Sequence, residues 1–197
     1  MSRLHFLLTL LALLLPSAVL AAAEPITIAE ILPSDKSGWP RASEPVTFGF
    51  PLPQGAATRI DLLSLGMPAQ YRALDTWPDG SLRWVLIDTV ASVSPKGTAT
   101  VTLSTVPSGG GTPSGPALAS EQGSAFRIDT GAAQFTVRKA GFNALESATV
   151  NGVPLVLPHA DGGLEVSSGG ALYTSALDAG SEVAIEENGP LKAVIVA

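Results

Sequence analysis

Cysteine is absent from this 197-residue chain. That excludes disulfides, thiol nucleophiles, thiolate metal sites and lipidation on cysteine. Histidine is scarce, with His5 and His159 the only two. His5 lies in an apolar leader, so His159 would stand alone in a mature chain, and a histidine-rich metal site cannot be built from one copy. No metal and no cofactor is expected. Positive charge is also short, since 11 Lys and Arg face 17 Asp and Glu for a net charge of -6. A nucleic-acid binder normally carries a basic stripe, and none is present. The acidity itself names no partner, because it also serves solubility. Aromatic residues make up 6% of a chain that is 46% hydrophobic, so any core must be mainly aliphatic. Gly-x-Ser-x-Gly, a P-loop, a dinucleotide fingerprint and a zinc-binding His-Glu pair are all missing.

What the chain does have is punctuation. Twenty glycines and 16 prolines are scattered among short runs of Val, Ile, Leu and Thr. That pattern predicts an all-β protein. The first residues read as a signal peptide. Arg3 gives a short positive region and residues 4–15 form an apolar run interrupted by the hydroxyl of Thr9. Pro16-Ser17 breaks the run, and Ala21-Ala22-Ala23 offers a small-residue cleavage site before Glu24. The run is short for a membrane span, and a lone arginine excludes a twin-arginine signal. The expectation is a secreted or periplasmic product with no membrane span in the mature chain.

One stretch, Trp77-Pro78-Asp79-Gly80-Ser81-Leu82-Arg83-Trp84, organises the mature chain. Proline presets the first turn residue, aspartate suits the second, and glycine can take a positive φ as the chain re-enters a strand. The order predicts a type I turn that closes through a bulge at Gly80. Trp77 and Trp84 flank the turn, and each can bury a large apolar area. Residues 82–87 are apolar on both faces apart from Arg83, as in a strand within a closed or two-layered structure.

Further strands are predicted at residues 45–50, 60–65, 69–76, 82–93 and 98–103. In the last of these, threonines and aliphatics alternate as a half-buried strand requires. Residues 106–116, rich in Pro, Ser and Gly, read as a linker or long loop. Beyond it strands are expected at 125–128 and 133–138 around Asp129-Thr130-Gly131, and on either side of Asn151-Gly152, a strong hairpin signal. Residues 182–187 and 191–197 flank Asn188-Gly189-Pro190. Because residues 191–197 stay apolar to the last position, the second β region is expected to be incomplete.

Several residues invite a chemical reading, and each has a plainer one. Asp129-Thr130-Gly131 resembles the aspartic-protease motif, but that chemistry needs two carboxylates sharing a proton and there is no second copy. A dimer using Asp129 is the remote alternative, and a turn explains the same three residues. Glu44, Asp61, Asp79 and Asp88 are scattered carboxylates, whereas a glycosidase needs a pair at fixed separation. Asp79 is explained by its turn, Asp88 by the end of its strand, and Glu186-Glu187 by a solvated turn flank. Arg83 could meet an anionic sugar, although such an arginine more often pairs with a structural carboxylate. His159, near Asp161, could serve as a general base or simply be solvated.

The Trp77-to-Trp84 stretch resembles the exo-rhamnogalacturonan lyase (YetA-like) family. The resemblance extends upstream through Glu44-Pro45-Val46-Thr47-Phe48-Gly49-Phe50-Pro51-Leu52-Pro53-Gln54-Gly55, and downstream to Ile128-Asp129-Thr130-Gly131 and Glu186-Glu187-Asn188-Gly189-Pro190-Leu191. It implies a small RIFT-type β-barrel, then a central β-sandwich, then an α/α toroid. It also implies β-elimination on rhamnogalacturonan, in which a base removes the proton α to the uronate carboxylate. The toroid would supply much of the cleft, so no catalytic residue is carried over to this chain. Trp77, Pro78, Asp79, Gly80 and Trp84 are taken as a structural motif. The expected layout is a signal peptide at 1–23, the barrel at 24–105, a Gly/Pro/Ser-rich linker at 106–123 and a partial sandwich at 124–197. The expected role is the non-catalytic front portion of an exported protein acting on pectin-type, acidic plant polysaccharide through domains this chain lacks. The alternative is a stand-alone carbohydrate-binding or cell-surface interaction module.

Overall fold

The structure, a computed structural model, describes residues 23–105, 113, 115–158 and 162–197. The leader up to Ala22, most of the Gly/Pro/Ser-rich stretch, and His159 with Asp161 lie outside the described residues. The fold is all-β, with two short 3₁₀ turns.

Strands β1 (Ala23–Ala29), β2 (Arg41–Pro51), β3 (Leu63–Ser64), β4 (Ala69–Thr76), β5 (Leu82–Val93) and β6 (Thr98–Thr105) make up the first half. They form two antiparallel three-stranded sheets, in the orders β1-β6-β3 and β2-β5-β4. The inward faces of both sheets meet in one core. Leu63, Val85, Ile87 and Leu103 are its largest fully enclosed members, with Leu52, Leu65, Tyr71 and Leu82 around them. Alternation does the sorting: Val85 and Ile87 point in, while Leu86 and Asp88 point to the other face. Each fully buried aliphatic here contributes about 1.5–3 kcal/mol.

Residues 60–65 depart from the expected strand. Ile60–Leu62 is a 3₁₀ turn and only Leu63–Ser64 joins a sheet. The cause is local bonding, since the Leu62 N–H donates to Arg59 O at 3.2 Å and the Leu63 N–H to Ile60 O. Those donors are not available to a ladder.

The second half begins with β7 (Ala119–Gln122), β8 (Ala125–Asp129), β9 (Ala133–Arg138), β10 (Ser147–Val150) and β11 (Val153–Val156). These form one antiparallel sheet in the order β11-β10-β9-β8-β7. Two hairpins come after it. The first pairs β12 (Glu165–Ser168) with β13 (Ala171–Thr174), and the second pairs β14 (Ala184–Asn188) with β15 (Ala193–Val196). Ile185 and Ile195 of the second hairpin pack with Phe126, Val137 and Val183, so it forms a second layer on the five-stranded sheet. Among the described residues no layer of this kind covers the β12–β13 hairpin, and its Val166, Leu172 and Tyr173 are exposed. The sequence reads Ser168-Gly169-Gly170 as a turn, which joins these two strands, and the four-residue strands themselves are not among those expected.

Candidate functional site

The turn joining β4 to β5 is held by backbone bonds and by the side chains of Asp79 and Ser81. The Gly80 N–H donates to Trp77 O at 2.9 Å, and the Trp77 N–H donates to Ser81 O at 2.7 Å. Gly80 sits at φ +83°, where a side chain would be strained. The Asp79 carboxylate accepts from the Ser81 N–H at 2.9 Å and the Ser81 hydroxyl at 2.6 Å. Those two bonds, the hydroxyl first, hold the Asp79 carboxyl below its ordinary value.

Ser81 is buried, and its oxygen in turn accepts from the Gly55 N–H at 2.8 Å. The Trp77 indole donates to Leu52 O at 3.0 Å, and the Leu82 N–H to Ala57 O at 2.8 Å. The Pro51-to-Gly55 segment and the Trp77 turn are therefore one structural unit. Arg83 lies 5.0 Å over the Trp77 ring and pairs with Asp75 at 3.2 Å. Trp77 is half-buried, but Trp84 is 40% exposed and stands over Gly49 on the outward face of its sheet.

That outward face carries the second feature. The register places Thr47, Asp88 and Gln70 side by side across β2, β5 and β4. The loop of the β14–β15 hairpin, containing Asn188-Gly189-Pro190-Leu191, docks onto this row. The Gln70 amide donates to Glu187 Oε1 at 2.7 Å and to Lys192 O at 3.2 Å. Its carbonyl oxygen accepts from the backbone N–H groups of Leu191 and Lys192, each at 3.3 Å. Lys192 Nζ lies 3.0 Å from Asp88 Oδ1, which also accepts from the Thr47 hydroxyl. Arg72 pairs with Glu186 at 3.1 Å and lies 3.7 Å from Glu187. A Cβ on Gly189 would come within 2.0 Å of Gln70 Oε1, so only glycine lets the hairpin approach this closely. Asn188 ties the same hairpin to β7, accepting from the Ala119 N–H at 3.0 Å and donating to Ala119 O at 2.8 Å.

Two sequence expectations are corrected at this joint. Asp88 is not at a strand end; it is mid-strand and 3% exposed. Glu187 is not a solvated flank; it is 9% exposed. Both are buried because the hairpin covers the row that Asp88 shares with Gln70, which short-range pattern cannot show. Asp88, a lone acid inside a run of β-branched residues, and Lys192, a lone base inside an apolar strand, were the available signal: buried charges need partners.

The other candidates are engaged locally. Glu44 pairs with Arg41 at 3.3 Å, and Asp61 accepts from Arg59 Nε at 2.9 Å. Asp129 is exposed, and its two oxygens accept from the Gly131 N–H at 2.9 Å and the Gln134 amide at 3.0 Å. It caps its own hairpin. Sequence reading also passed over Glu30, whose carboxylate accepts from the backbone of Lys96 at 2.8 Å, from Arg41 Nε at 2.9 Å and from the backbone of Trp39 at 3.2 Å. The Lys96 bond leads in holding the Glu30 carboxyl below its ordinary value, with Arg41 and Trp39 adding to it and desolvation opposing. Trp39, on the loop so pinned, is 68% exposed. Among the described residues no group of three or more His, Asp or Glu could hold a metal ion. Among them also, no helix is long and apolar enough to cross a membrane.

Two small sheets closing on one aliphatic core, with a stapled turn at one end, define a small β-barrel class. Residues 34–104 match the model of the PcRGLX-like N-terminal RIFT barrel domain. It is also similar to the uncharacterized protein YetA of Bacillus subtilis (strain 168). The two are 29% identical over 174 residues, covering 81% of this chain and 20% of that protein. The chain thus spans about a fifth of the length of the curated relative it matches.

Proposed function

We propose that this chain is the non-catalytic front portion of an exported protein that acts on rhamnogalacturonan-type polysaccharide. The match of residues 34–104 to the PcRGLX-like barrel supports this reading most directly. The engagement of its carboxylates supports the non-catalytic part. Asp79, Asp129 and Glu30 are committed to turns and loops, and Asp88 and Glu187 to the joint. A general base must reach the proton it removes, and each of these carboxylates holds a structural donor instead. The reading assigns catalysis to polypeptide of the kind that makes up the remaining four-fifths of the longer relative.

The test is an assay for unsaturated uronate product from rhamnogalacturonan, with this chain alone and with a full-length relative. The expected result is product from the full-length protein and none from this chain. Product from this chain alone would overturn the non-catalytic reading. A full-length relative that cleaves no pectic polysaccharide would overturn the substrate class.

A second reading, a carbohydrate-binding or cell-surface module acting on its own, is favoured by one observation. Trp39 is exposed on a loop whose backbone is pinned by Glu30, and an aromatic open to solvent suits stacking against an apolar sugar face. Retardation of this chain in gels containing rhamnogalacturonan, abolished by Trp39→Ala, is the result that reading requires.

A further inference from the structure

The charges at the joint are arranged crosswise. The first half contributes Asp88 and Arg72, and the β14–β15 hairpin contributes Lys192, Glu186 and Glu187. Each half thus presents both signs, and the pairs Arg72–Glu186, Arg72–Glu187 and Lys192–Asp88 run between halves. Lys192 Nζ lies 3.0 Å from Asp88 and 4.0 Å from Glu187. It is the cation between two buried carboxylates that come from different halves.

Three buried polar atoms here, Arg72 Nε, Asp88 Oδ2 and Glu187 Oε2, have no hydrogen-bond partner. Two of them, Arg72 Nε and Glu187 Oε2, face each other at 3.7 Å as an ion pair, and Asp88 Oδ2 belongs to the carboxylate that Lys192 meets.

We propose that the β14–β15 hairpin is a latch that fixes the second half on the outward face of the barrel, and that Lys192 is the positioning residue that closes it. The backbone of the hairpin supplies the fit, through Gly189 against Gln70. The side chain of Lys192 supplies the lock. Removing one member of a buried pair leaves the other charge uncompensated, whereas removing both with neutral replacements is close to neutral. That asymmetry separates a lock from a bystander contact.

The absence of cysteine allows two labels to be placed without competition. Thr100→Cys on β6 and Ser120→Cys on β7, both exposed, carry spin labels in the full chain. Distance distributions are compared for the parent, Lys192→Met, Asp88→Asn and the double variant. The parent is expected to give one narrow distance. Each single variant should raise the population outside that distance by about ten-fold or more, and the double variant should return to within about three-fold of the parent. Slow exchange of the Val85 and Ile87 amides in every variant checks that the barrel still folds. Single variants with the parent distribution, or a double variant that opens as the product of the two singles, would overturn the proposal.

Discussion

Ten buried residues, from both sheets and the segments joining their strands, converge in the core of the first half, while the second half gathers Phe126, Val137 and Val183 into its own core cluster. The exposed side chains run the other way. In the second half Val153, Leu155, Leu164, Val166, Leu172, Tyr173 and Leu177 are open to solvent. A barrel turns every strand's apolar face inward and needs no outside help. A single sheet with one small hairpin layered on it cannot, and its order depends on what it docks against. Both regions are built from antiparallel strands, longer in the first half, and closure sets the two apart. The β14–β15 hairpin is where the two regimes meet: its isoleucines serve the sheet and its charged residues serve the barrel.

The comparison can be broken most forcefully at Ile87. Ile87→Ala removes a fully buried side chain and should cost about 2–5 kcal/mol by urea denaturation, whereas Val166→Ala on the exposed hairpin should stay within about 0.5 kcal/mol. Equal effects would mean the two halves are packed alike. Next comes Gly189→Ala, which forces a methyl into Gln70 and should cost about 1–3 kcal/mol. Its damage should appear in the second half and leave the barrel's own melting transition near the parent value. Gly80→Ala places a side chain at φ +83° and should cost about 1 kcal/mol, confined to the barrel.

The smallest effect is a pH dependence. Glu30 and Asp79 both titrate below their ordinary values of 4.5 and 3.8. Their contribution is complete above those values and is lost as pH falls through the lower folded-state values, because the unfolded chain takes up protons first. Urea midpoints measured from pH 7 to pH 3 should fall at the acid end, and Glu30→Gln should flatten that fall. Since both groups belong to the first half, acid should erode the barrel's advantage over the second half.

Much of the barrel was legible from local chemistry. The residues at 69–76 and 82–93 announced two strands, and Pro78-Asp79-Gly80 announced the turn between them, because the bonds that decide these features span few residues. The 3₁₀ turn at Ile60–Leu62 was not legible, since local bonds to the Arg59 and Ile60 carbonyls outcompeted a weak apolar alternation. The joint was the least legible part. Gln70 meets Glu187 across 117 positions, and Asp88 meets Lys192 across 104. Each residue looks ordinary in its own window, and only the register of β2, β5 and β4 places Thr47, Asp88 and Gln70 in one row for the hairpin to cover.

The central claim is that the β14–β15 hairpin draws its order from the barrel. Amide hydrogen exchange on the full chain tests it most directly, by comparing three hairpins or strand pairs in one experiment. The account predicts that β14–β15 amides exchange almost as slowly as those of β2 and β5, and far more slowly than those of β12–β13. Exchange of β14–β15 as fast as β12–β13 would contradict it.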